Sequence, residues 1–203
     1  MSFDKRAGTW DASKRRQAQA QAVADAIEKE IPLNRSMHLL DVGAGTGLLT
    51  RRILPHVGKI TAVDRSSGML EKLQENLEKW GDSIHVFQTD IMALSEKVHF
   101  DGIISSMTLH HIENTQACFD RLYDLLNPGG FVALADLAPE DGSFHDHGNA
   151  GVYHFGFDGT SLKKIAKRSG FTAIKYEKIY RIDKGEGRHY DIFLLTATKP
   201  PSR

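Results

Sequence analysis

The chain has 203 residues, 40% of them hydrophobic and 26% charged, which suits one globular domain with a full core. Lys plus Arg and Asp plus Glu both number 26, so there is no global basic field to gather nucleic acid or an anionic membrane surface. No apolar run reaches the length of a membrane span, the N-terminus lacks the apolar core of a signal peptide, and the single cysteine, Cys118, forbids an internal disulfide, a combination that points to the cytoplasm.

Residues 1–11 are mixed and polar, with two aromatics, Phe3 and Trp10. From Ser13 to Glu30 good helix formers place Ala20, Val23, Ile27 and Ile31 on one face, and Pro32 ends the run. The stretch from Met37 to Leu40 is largely apolar and leads to Asp41, after which Gly43, Gly45 and Gly47 alternate. Leu48, Leu49, Ile53 and Val57 then fall at helical spacing, so the segment reads as strand, tight glycine turn and helix over about residues 47–57. Glycines there admit positive φ and let a ligand approach the main chain, while a helix N-terminus offers N–H groups to an anionic ligand group. A nucleoside-triphosphate loop requires Gly-Lys-Ser/Thr, yet Leu48 follows Gly47. A dinucleotide fingerprint would put its third glycine at Leu48, which disfavours NAD and leaves an oxidoreductase as the alternative.

Gly58 ends that helix, and Lys59–Asp64 is a short β-rich run closing on a carboxylate. Asp64 stands about 20 residues beyond the glycine turn, where a mononucleotide-binding unit places its ribose acid. The other role for Asp64 is to cap the amphipathic helix Ser66–Trp80, which carries Met69, Leu70, Leu73 and Leu77. Ile84–Asp90 is a third strand, again ending in an acid, and Phe100–Ser106 a fourth, running into Met107-Thr108-Leu109-His110-His111-Ile112. Asn114 caps a helix bearing Phe119, Leu122, Leu125 and Leu126, which Asn127-Pro128-Gly129-Gly130 stops before a fifth strand, Phe131–Leu137. Residues 138–158 form a loop rich in His, Gly and aromatics, of a length that is usually functional. A helix over Thr160–Ser169 follows, then two alternating strands, Thr172–Ile182 and Arg188–Lys199, made antiparallel by the short turn between them.

Five β-α units and a terminal pair give an α/β fold: a Rossmann-like, doubly wound, seven-stranded, mostly parallel sheet with an antiparallel C-terminal hairpin. One domain spans 1–203, with an N-terminal segment and helix at 1–31, a core of β-α units at 36–137, a loop at 138–158 and the C-terminal helix and hairpin at 159–199.

Asp41-Val42-Gly43-Ala44-Gly45-Thr46-Gly47 resembles the first motif of class I S-adenosylmethionine-dependent methyltransferases. Phe100–Ile112 resembles the family's fourth motif, and Leu126–Gly130 its L-x-P-G-G element. FDKRAGTWD resembles the opening of the small-molecule, quinone-biosynthesis-like branch. The resemblance implies that S-adenosylmethionine is the cofactor, bound by Asp41, Gly43, Ala44, Gly45 and Gly47 in the turn and by Asp64 at the ribose, with Arg65 and Met69 beside it. Asp90 would accept from the adenine amino group, Ile91 would flank the ring, Ser106 would face the methionine moiety, and Trp10 would lie in the lid unless it is a core aromatic.

On the acceptor side the resemblance makes the 138–158 segment a pocket wall. His154, Tyr153 and His110 are then the candidate catalytic groups, and His111, His145, His147 and Phe155 the candidate acceptor contacts. His110 and His111, being adjacent, are expected to point in different directions. No metal is assigned; the alternative is a site on the pair His145 and His147 with Asp146 or His154. The fourth motif lacks the Asp/Asn/Ser-Pro-Pro-aromatic run of amino-group methylation on DNA bases or glutamine, and Cys118 is mid-helix and unsuited to cytosine C5 chemistry. A small-molecule acceptor is therefore expected, with no nucleic-acid or membrane partner and the oligomeric state open. A non-catalytic S-adenosylmethionine-binding regulatory protein and an NAD(P)-binding oxidoreductase are the alternatives.

Overall fold

A computed structural model describes residues 3–95, 97–146 and 148–202. Its element order is α1 (Phe3–Trp10), α2 (Lys14–Glu30), β1 (His38–Val42), α3 (Thr50–Ile53), β2 (Lys59–Asp64), α4 (Ser67–Leu77), β3 (Ile84–Gln88), β4 (Phe100–Ser106), α5 (Thr115–Asp124), β5 (Leu126–Leu137), α6 (Gly159–Arg168), β6 (Thr172–Asp183) and β7 (His189–Thr198). The described residues form one seven-stranded sheet in the order β3-β2-β1-β4-β5-β7-β6. β1 to β5 pair in parallel, and β7 runs antiparallel between β5 and β6. The expected architecture is the one observed.

The central strands are buried on both faces, so consecutive apolar residues serve opposite layers. Leu39, Ile60 and Ile104 pack with Val23 and Ile27 of α2 and with Ile53 of α3. Leu40, Val63 and Ile103 face the other way, toward Phe119 and Leu122 of α5 and Leu162 of α6. α4 adds Leu70, Leu73 and Leu77 over Ala62. Side-chain caps fix where helices start: Ser13 accepts from Arg16 N–H, Asn114 from Ala117 N–H and Asp158 from Ser161 N–H.

Besides end shifts of one to three residues, such as β3 stopping at Gln88 and α4 at Leu77, three larger departures from expectation occur. The helix expected over 47–57 is a single α turn, Thr50–Ile53, followed by a 3-10 turn at Leu54–His56. Pro55 lacks the N–H that an extended helix needs, so the long dipole expected behind the glycine turn is absent. β5 begins at Leu126, not Phe131, because Asn127–Gly130 bulge out between the pairs Phe100–Leu126 and Gly102–Phe131 without leaving the strand. The polar N-terminus also holds a helix, α1, which packs on α4.

The strand order reverses between β1 and β4. Val42 and Ser105 are register partners there, so the ends of these strands sit side by side and open the crevice that such a reversal creates.

Candidate functional site

The crevice is floored by the glycine turn after β1, where Gly43, Gly45 and Gly47 have φ of 67°, 56° and 81°. This left-handed region is cheap only for glycine. A Cβ on Gly43 would lie 2.1 Å from Thr108 Oγ1, so this glycine lets the β4 loop close against the turn. A Cβ on Gly45 would meet nothing within 4 Å, so its main chain faces open space. Ala44 packs against α4.

Three acids surround the turn. Asp41 is 1% exposed and accepts from Thr50 Oγ1 at 2.6 Å. Burial, with the charge of Asp64 adding and the Thr50 bond opposing, pushes its carboxyl up to about 7. Asp64 accepts from Gly45 N–H and Ser66 N–H, both at 2.9 Å, and thereby ties the turn to the end of β2. It is not the cap of α4: Ser66 fills that position by accepting from Met69 N–H. Asp90 accepts from Met92 N–H at 2.9 Å and lies 3.8 Å from Arg65, while Ile91 behind it is buried. Met69 is buried at the first turn of α4.

α1 closes over this floor. Asp4 accepts from Ser66 Oγ at 2.6 Å and Gly68 N–H at 3.1 Å, which supplies an anion to the start of α4. Asp11 accepts from Thr46 Oγ1 at 2.5 Å and from Asn76 Nδ2 at 2.8 Å. Trp10 is half-buried, with the Arg16 guanidinium 3.8 Å over its ring. Sequence reasoning did not single out Asp4, Asp11 or Asn76, since their partners come from distant segments.

β4 ends in strain. Met107 has φ 59°, uncommon for a residue with a side chain, and the chain then turns through Leu109–His111 in 3-10 form. Ser105 Oγ donates to Val42 O at 2.6 Å, and Ser106 follows at the strand's end. The 3-10 turn brings the two histidines together rather than apart, with ring centroids 4.1 Å from each other. His110 is 1% exposed and its Nδ1 lies 2.6 Å from Oδ1 of Asp136, itself 0% exposed. Asp136 also accepts from His110 N–H and Leu137 N–H. Burial alone would raise the Asp136 carboxyl, but His110 and these bonds hold it below its ordinary value. An acceptor-only carboxylate selects the His110 tautomer with the proton on Nδ1, in which the neutral ring carries its lone pair on Nε2. That Nε2 is buried without a hydrogen-bond partner.

His145, from the 138–158 loop, completes the group, 5.2 Å from His110 and 5.7 Å from His111 between ring centroids. His111 places Nδ1 2.7 Å from Gly151 O, and Phe3 of α1 meets its ring at 5.5 Å. Burial, then the like charges of His110, His111 and Lys184, push His145 down to about 4. Burial first, then His110, also lower His111. The loop is fixed where His145 sits. Lys184 and Arg188 hold Asp146 at 2.7 and 2.9 Å, Ser143 Oγ lies 2.7 Å from Tyr190 OH, and Phe144 packs on Tyr190 at 5.1 Å.

Tyr153 and His154 meet the histidine group through their main chain, donating N–H to His110 O at 3.0 and 3.3 Å. His154 Nε2 is 3.0 Å from Ile112 O and 3.2 Å from Thr115 Oγ1, so it ties the loop to the start of α5. Tyr153 and Phe155 are 54% and 46% exposed. His147 lies outside the described residues. Of the other members of the alternative set, Asp146 is paired with Lys184 and Arg188, and His154 with the start of α5. The buried acid Asp136 was missed although a signal was present: a lone carboxylate inside the apolar run Phe131–Leu137 needs a buried partner.

A family model described as a methyltransferase domain matches residues 39–130, from β1 to the bulge of β5. The biotin biosynthesis bifunctional protein BioHC of Teredinibacter turnerae is 38% identical over 112 residues, covering 50% of this chain and 20% of that protein. An uncharacterized methyltransferase of Mycobacterium tuberculosis is 35% identical over 114 residues, covering 56% of this chain and 55% of that protein. The chain thus spans about half, or less, of the length of the curated relatives it matches. The solved structure of Haemonchus contortus phosphoethanolamine N-methyltransferase 2 in complex with S-adenosyl-L-methionine shares the fold. Its TM-score is 0.71 at 19% identity, covering 98% of this chain and 60% of that one.

Proposed function

We propose that the chain is a class I S-adenosylmethionine-dependent methyltransferase that binds S-adenosylmethionine and methylates a small-molecule acceptor. The observation that carries the reading is the Asp64–Gly45 pair: the acid at the end of β2 holds the one turn glycine whose missing Cβ leaves open space. A cradle that a Cβ would fill, bounded by acids suited to ribose and adenine donors, fits this cofactor.

Each oxygen of Asp64 has one lone pair in use and one free, enough to accept from both ribose hydroxyls. Asp90 would accept from the adenine amino group and Ile91 would flank the ring, with Arg65 on the exposed side. Asp41 keeps the turn in shape through Thr50, and Ser106 and Met107 carry the β4 end to the methionine side. When bound, the cofactor supplies the electrophilic methyl. The work of the chain is orientation and exclusion of water, and proximity of this kind is worth about 7–11 kcal/mol. α1, with Trp10 in it, serves as the cover.

On the acceptor side the reading shifts weight from His154 and Tyr153 to His111 and His145, which stand with His110 beyond the β4 end. Malonyl-[acyl-carrier protein] O-methyltransferases and a glycine/sarcosine N-methyltransferase are among the relatives. Those acceptors are carrier-bound or small, and a compact acceptor is the class we propose here.

The test is thermal melting with S-adenosylhomocysteine, NADH and ATP, followed by an assay for S-adenosylhomocysteine formation. S-adenosylhomocysteine at 100 times its dissociation constant should stabilise by about 2.7 kcal/mol while the nucleotides do nothing. Stabilisation by NADH alone would transfer the crevice to a dinucleotide and an oxidoreductase. Binding without turnover on a panel of small acceptors would make the chain a cofactor-binding regulator.

A further inference from the structure

We propose that His110, His111 and His145 bind a single divalent first-row transition metal of the zinc type, leaving a coordination position open to the acceptor. One ring nitrogen from each of the three lies within 4.8 Å of the others. Zinc–nitrogen bonds of about 2.0–2.1 Å put neighbouring ligands roughly 3.4 Å apart, so the set needs only a modest contraction.

Several independent observations support a metal over a simple stack of rings. His110 Nε2 and His145 Nδ1 are both buried with no hydrogen-bond partner, a cost that a packed interior normally avoids. The Nδ1 positions of His110 and His111 are each held by an outer oxygen, Asp136 Oδ1 at 2.6 Å and Gly151 O at 2.7 Å. Both Nε2 lone pairs are thereby left for a ligand. A carboxylate behind one ligating histidine and a carbonyl behind another is the outer arrangement that orients such ligands. Asp136, wholly buried, supplies negative charge against a dication. His145 sits on a loop fixed by Phe144–Tyr190 packing and the Asp146 ion pairs, so the third ligand is placed rather than free.

Three protein nitrogens and a vacant fourth position form the pattern of a reacting metal, not a purely structural one. The chemistry that would use it is a thiol or hydroxyl acceptor. Bound to the metal, the acceptor loses its proton to solvent, and its sulfur or oxygen then forms the new bond to carbon. The carbon–sulfur bond of the sulfonium breaks, and its electron pair stays on the cofactor sulfur. This use of the site rests on the proposed methyl transfer; the metal site itself does not.

The experiment uses tag-free full-length protein, incubated with zinc or cobalt(II), desalted, and analysed for metal content and cobalt absorption. Wild type should hold about one equivalent with a tetrahedral cobalt spectrum. His111→Ala and His145→Ala should bind at least about tenfold more weakly, and Asp136→Asn about 10–100-fold more weakly. Each variant is checked for its melting temperature and for stabilisation by S-adenosylhomocysteine, which His145→Ala should retain because that side chain lies on the loop. Metal content in wild type no higher than in His145→Ala would overturn the proposal. Metal bound with no response to S-adenosylhomocysteine would instead defeat the methyltransferase reading and leave the site standing.

Discussion

Asp11, just past the end of α1, accepts a 2.5 Å hydrogen bond from the hydroxyl of Thr46, in the middle of the glycine turn. The cover and the floor of the crevice are thus joined directly, and Asn76 of α4 donates to both Asp11 and Thr46 O. Asp11→Ala removes the shared acceptor. Hydrogen exchange over residues 3–12 should quicken, and S-adenosylhomocysteine should bind about 10–100-fold more weakly, the equivalent of one hydrogen bond to a charged group. Unaltered exchange would show that Asp4 and Ser66 hold the cover alone.

Asp64→Ala should cost about 1.5–3 kcal/mol in cofactor binding. It also frees Gly45 N–H, so the variant should melt earlier in the absence of ligand. Calorimetry on folded protein separates the two effects. A dissociation constant equal to that of wild type would confine Asp64 to holding the turn.

Gly45→Val should abolish detectable binding, because its side chain would enter the open space above the turn. The backbone at φ 56° adds strain of about 1–2 kcal/mol, so some loss of stability accompanies it. Gly45→Ala serves as the milder control. Full affinity in the valine variant would mean that the ligand lies elsewhere.

The Asp41 carboxyl carries a pH signature. Its folded value, about 7, lies above the unfolded value of about 3.9, so between these limits the folded chain holds a proton that the unfolded chain has released. Stability from this group is therefore fully present below about pH 4, falls as pH rises toward 7, and levels off above it. Asp41→Asn keeps an acceptor for Thr50 without titrating. Melting curves from pH 5 to 8 should show wild type losing ground to this variant as pH rises. A constant difference would refute the buried-acid assignment.

Much of the fold was legible because each parallel strand is a short apolar run followed by a polar turn. Lys59–Asp64 and Phe100–Ser106 matched residue for residue. Some misses arise because local pattern does not report what distant segments contribute, and one because a local signal was passed over. Leu126 looks like the end of a helix, yet pairing with Phe100 draws it into β5. Leu48 and Leu49 keep helical spacing, yet Pro55 leaves room for little more than one turn. At the site, the acids at strand ends could be placed by spacing alone. The meeting of His145 with His110 and His111 could not, because it depends on how Lys184 and Arg188 at the hairpin tip draw in Asp146.

That hairpin gives the molecule a division of labour. The glycine turn and its acids ride on β1 to β3, in the half of the sheet built from parallel strands. The loop bearing His145 is anchored by Lys184, Arg188 and Tyr190, which belong to the antiparallel edge. Changes in length or charge at the hairpin tip can therefore reshape what the loop presents while leaving the floor beneath Gly45 as it is. On the proposed reading, recognition of the cofactor and recognition of the acceptor are then free to drift at different rates.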